Sequence, residues 1–120
     1  MSLRDDRGAA SVLAVAMLAV LMAVAVAVAQ LGAAVAARHR AQSAADLAAL
    51  AGAVRLDGGQ VTACAMAEAV VTGMHARSTG CTVQGLDVVV SVTVPVNLGR
   101  WGTGTAQARA RAGPVDYSGE

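Results

Sequence analysis

Residues 8–37 form a run of thirty residues without a charged side chain, and this run limits every other choice open to the chain. It is built almost wholly from Ala, Val, Leu and Met, with Ser11 and Gln30 as its only polar side chains. At ~1.5 Å rise per residue a helix of this length spans ~45 Å, whereas the hydrocarbon core of a bilayer is ~30 Å thick. A chain of 120 residues has room for one anchor and one small domain, and such a domain has no core able to hide thirty apolar residues. The run therefore reads as a transmembrane helix over residues 9–37. The rest of the chain is what that helix anchors or exports.

Residues 1–8 (MSLRDDRG) are a short charged leader, read as cytoplasmic. A cleavable secretory signal has an apolar core of ~7–15 residues, and this run is about twice that length. A plain signal anchor fits the length. So does a prepilin-type leader, cut after a glycine at the border between charge and apolar helix, where Gly8 and Ala9 sit. The basic residues on the two flanks nearly balance, with Arg4 and Arg7 before the run and Arg38 and Arg40 after it, so they leave orientation open.

Helical character continues past Arg38, His39 and Arg40, whose long basic stems can reach the headgroups. Residues 38–54 contain no proline and have high helix propensity. Leu47, Leu50 and Val54 fall on one apolar stripe, with a small-residue stripe of Ala41, Ala45, Ala48 and Gly52 alongside. The sequence LDGG at 56–59 breaks the helix. The leader ending in Arg7 and Gly8, the Ala/Val/Leu helix, and the RHRAQSAADLAALA continuation at 38–51 resemble the TadE/TadG-like minor pilins. More narrowly, they resemble the actinobacterial TadE-like proteins of Flp (tight-adherence) pili. That resemblance implies a non-enzymatic membrane protein of pilus assembly or secretion, packed among pilin-like or other Tad membrane helices. It also implies cleavage between Gly8 and Ala9. One departure stands out: prepilin-like proteins usually carry Glu five residues after the cut, and this chain has Leu13. A capping, priming or assembly role fits Leu13 better than incorporation along a filament shaft.

Residues 55–114 read as a small α+β domain: one helix over an antiparallel sheet of two or three strands. The second helix is predicted over residues 60–77, with Val61, Cys64, Ala67 or Glu68, Val71 and Met74 on its mainly apolar face. Strands are predicted at 81–84, at 86–96 and, with strict alternation placing Gln107, Arg109 and Arg111 on the wet side, at 105–112. Pro95 is expected to close the middle strand, and 97–104 to form a glycine-rich turn. Residues 115–120 read as a flexible tail. Cys64 and Cys81 lie on opposite sides of the helix-to-strand turn. A disulfide between them would staple a domain too small to rely on its core, and would place the domain in an oxidising, extracytoplasmic compartment. Two buried thiols, or a metal site completed by His75, are the alternatives; the latter lacks a fourth ligand and any CxxC spacing.

Composition narrows function further. From residue 41 onward five Arg (55, 77, 100, 109, 111) face six acids (46, 57, 68, 87, 116, 120), too even a balance for a nucleic-acid surface. Trp101 and Tyr117 are the only aromatics, a supply that argues against base-stacking platforms and aromatic ligand cages. His39 and His75 stand apart, the acids are solitary, and no phosphate loop or nucleophile elbow is present. No catalytic residue, cofactor, metal or small-molecule ligand is expected. Arg100 and Trp101, together in the glycine-rich turn, are the candidate partner contact, unless Trp101 plugs the open end of the sheet. The expected partners are the bilayer and other membrane helices. A surface-tethered or secreted binding domain on a signal anchor is the second reading.

Overall fold

The computed structural model describes residues 3–115. Helix α1 spans Leu3–Val54 and holds the apolar run and its continuation in one element, beginning within the charged leader. A 3-10 turn at Leu56–Gly58 ends it, at the predicted break. Helix α2 covers Gln60–Gly73, and strands β1, β2 and β3 cover Arg77–Gln84, Asp87–Asn97 and Thr103–Ala112. The three strands form one antiparallel sheet in the order β1-β2-β3, so the fold is α+β as expected. The chain divides into two units, Met1–Gly32 and Ala33–Glu120. Met1 and Ser2 of the leader, and 116–120 of the expected tail with Tyr117, lie outside the described residues.

The second unit has its core between the end of α1, α2 and the inward face of the sheet. Val88, Val90, Val92, Val94 and Val96 alternate along β2 and supply the sheet side. The α1 side is made of Ala37, Ala41, Ala44, Ala45, Ala48 and Ala49, all buried. Of the two stripes legible on this helix, the small-residue one is therefore the packing face. Leu47, Leu50 and Val54 stay exposed. The alanine methyls share one buried cluster with the β2 valines, whereas the leucines fall on the other side of the helix. At Gly52 an added Cβ would meet Val88 Cγ1 at 3.0 Å and the Ala63 carbonyl oxygen at 3.1 Å.

Helix α2 turns Ala63, Ala67 and Val71 inward. Val61, predicted on that face, is 85% exposed. The helix also stops short of its predicted end at residue 77. Its last turn closes with the His75 N–H donating to the Thr72 carbonyl and the Ala76 N–H to the Val71 carbonyl, and His75 takes the left-handed conformation at φ 57°. The residues after it join β1, pairing Arg77 with Thr93 and Ser78 with Val92 before an irregularity at Thr79. That irregularity breaks the alternation by which the strand would have been read. Pro95 does not end β2, which runs on to Asn97 and pairs Pro95 with Thr105. β1 stops pairing at Thr93, so beyond it β2 has a free edge where a missing N–H costs no ladder bond.

Candidate functional site

His39 and His75 are both exposed. No group of His, Cys, Asp or Glu is arranged to hold a metal ion among the described residues. What the fold does present is a set of surfaces, each set by local sequence.

Cys64 and Cys81 are joined in a disulfide that ties α2 to β1. Cys81 pairs with Val90 in the sheet and so faces inward, half-buried against the core. Alternation brings it to that face, and the helical period brings Cys64 over it. His75 has no part in the pairing.

Two surfaces lie along α1. Gly8, Ala9 and Leu13 are all exposed on the helix, whose most apolar stretch has no buried side chain. Near its other end Leu47, Leu50 and Val54 form an outward ridge, 50%, 57% and 77% exposed. On the same helix the Gln42 Nε2 donates to Asp46 Oδ1 at 2.9 Å, a pairing one helical turn apart.

The outward face of the sheet is polar. Arg77, Thr93 and Gln107 form one cross-strand row, and Thr82, Val89 and Arg111 another. Arg111 Nε donates to Asp87 Oδ2 at 2.6 Å across the β2–β3 pair. Strict alternation marked Arg109 and Arg111 as wet. The Asp87 pairing was not legible, because it depends on strand register.

The β2–β3 hairpin ends in a well-defined turn. The Asn97 side-chain oxygen accepts from the Gly99 N–H at 2.9 Å, and the Leu98 N–H donates to the Gly102 carbonyl at 2.9 Å. Gly99 and Gly102 take φ of 61° and 90°, which L side chains rarely adopt. Between them the 3-10 turn Gly99–Trp101 holds Arg100 and Trp101 outward. Trp101 is 79% exposed, so it does not plug the sheet.

Comparison with known proteins gives this arrangement a context. Residues 8–55 match the family model for TadE/G-like proteins of Flp pilus assembly. A protein of Mycobacterium tuberculosis named apoptosis inhibitor Rv3654c is 55% identical over 53 residues, which are 44% of this chain and 63% of that protein. The chain thus matches less than two thirds of the relative's length, and the activity in that name stays with that protein. No solved structure matches the chain.

Proposed function

We propose, from the premise that residues 8–55 are a TadE/G-like segment of the Flp pilus-assembly family, that the chain is a single-pass membrane component of such a system. In this reading it acts as a minor pilin or assembly factor and carries out no catalysis. The leader lies in the cytoplasm and residues 55–114 lie outside. The disulfide supports this orientation, since such bonds persist in oxidising compartments. The mycobacterial relative fits an actinobacterial setting.

The observation that carries the proposal is the division of labour along α1. The alanine face is spent on the protein's own sheet, while Leu47, Leu50 and Val54 remain open on the same helix that is apolar enough to cross a membrane. A pilin-like helix lying alongside would cover that ridge with complementary apolar side chains. Photo-crosslinkers placed at Leu50 are expected to capture other Tad membrane proteins in cells, and the same group at Thr82 on the outward sheet face is not. Equal capture at both positions would remove the ridge from the proposal. Replacing Leu47 and Leu50 with Gln should change stability by no more than about 0.5 kcal/mol each, as for other surface sites, so lost capture would report lost contact.

Cleavage after Gly8 belongs to the same reading. The mass of the protein extracted from membranes is expected to correspond to a chain beginning at Ala9. An intact Met1 would restrict the proposal to an uncleaved assembly factor, which Leu13 already favours over a shaft subunit.

A further inference from the structure

We infer that the tip of the β2–β3 hairpin is a second membrane contact, with Trp101 seated in the headgroup layer and Arg100 on anionic lipid phosphates beside the point where α1 leaves the bilayer. The inference rests on the membrane reading of α1 and goes beyond it, since nothing in the anchor requires the folded domain to touch lipid.

Its geometry comes from a close approach and a shared groove between α1 and β2. At one end Gly52 abuts Val88. At the other, Ala34 and Arg38 line a groove together with Val96 and Leu98. β2 therefore runs along α1 from Gly52 towards Ala34. From Gly52 to Arg38 is ~21 Å along a helix, and to Ala34 ~27 Å. From Val88 to Leu98 is ~33 Å along a strand. The hairpin thus reaches at least as far along α1 as Ala34, past the basic cluster at 38–40.

The chemistry at that level suits lipid. The charge-free run of ~45 Å matches a bilayer with its headgroups, ~40–45 Å, so the helix around Ala34 and Arg38 lies in the headgroup layer. Trp favours this layer, where its ring meets apolar chains and its N–H stays wet. Arg38 and Arg40 on the helix and Arg100 on the hairpin supply positive charge, and neither 31–45 nor 96–107 contains an acid. Anionic headgroups complement that charge. The turn holds Trp101 outward with its own hydrogen bonds, so little ordering accompanies insertion.

Trp101 is the only tryptophan, so its fluorescence reads the site directly. The full chain is reconstituted into phosphatidylcholine vesicles with and without phosphatidylglycerol, and insertion is checked by flotation after an alkaline wash. The expected result is a blue-shifted emission, mostly quenched by lipid spin-labelled near the headgroup, largely protected from acrylamide, and more so with phosphatidylglycerol. Inserted protein whose Trp101 is quenched by acrylamide and untouched by labelled lipid would overturn this inference and leave the anchor standing. A blue shift without lipid quenching would also overturn it, because protein would then be covering Trp101. Protein that fails to float would overturn the anchor and this contact together.

Discussion

Gly52→Leu is expected to destabilise the folded domain by about 3 kcal/mol, the upper end of the range for overpacking a filled core. A single Cβ at this position already lies 3.0 Å from Val88 Cγ1, 3.1 Å from the Ala63 carbonyl oxygen and 3.5 Å from Ala67 Cβ. All three neighbours are buried. The carbonyl cannot yield without moving α2, and α2 is held by its disulfide to β1. Gly52→Ala should cost less, because the gain of about 1 kcal/mol in helix propensity opposes the crowding. Gly32→Ala is the control: its Cβ meets nothing within 4 Å, so only the propensity gain remains. Denaturant midpoints in detergent, followed by loss of β-sheet circular dichroism, give the ranking. Equal midpoints for wild type and Gly52→Leu would mean that α1 does not press on β2.

Removing the disulfide is the second large effect. Cys64→Ala together with Cys81→Ala is expected to lower stability by about 3 kcal/mol, from the chain entropy restored to a loop with its ends 17 residues apart. Small domains have total margins of about 5–15 kcal/mol, so this is a major share. The core explains the dependence: its largest fully buried side chains are valines, Val71 on α2 and four on β2. Equilibrium unfolding with and without reductant checks the size of the effect. Amide exchange should show α2 and β1 opening first, because they are what the bond joins. An unchanged midpoint on reduction would show that packing alone holds α2. Combined with Gly52→Leu the losses should not add, since both changes act on the seating of α2.

Much of this fold was legible because its elements are written in local patterns. The charge-free run, the LDGG break, and the alternation of valines in β2 and of arginines in β3 each need only a few neighbouring residues to interpret. Other features depended on partners far away in sequence. Leu47, Leu50 and Val54 and the alanine stripe both satisfied the helical period. Only the packing of the sheet valines on the alanine face decided between them. Pro95 lay inside β2 because β1 happens to stop pairing at Thr93, which the proline itself cannot reveal. The first residues of β1 carried no alternation to read, owing to the irregularity at Thr79. The cysteine pair was named in advance, whereas the exposure of Trp101 was left open between a contact and a plug, and the outward position of Leu47, Leu50 and Val54 was not foreseen.

The alanine seam has one further property, which concerns register. Ala37, Ala41, Ala45 and Ala48 are nearly interchangeable, so sliding α1 along the sheet by one turn would set alanine where alanine had been. Gly52 ends that degeneracy. A slip that brought Ala48 into its place would drive a methyl group against Val88 and the backbone of α2. One missing Cβ thus acts as an index mark on an otherwise smooth rail. It sets where along α1 the sheet comes to rest, to within a turn of about 5.4 Å.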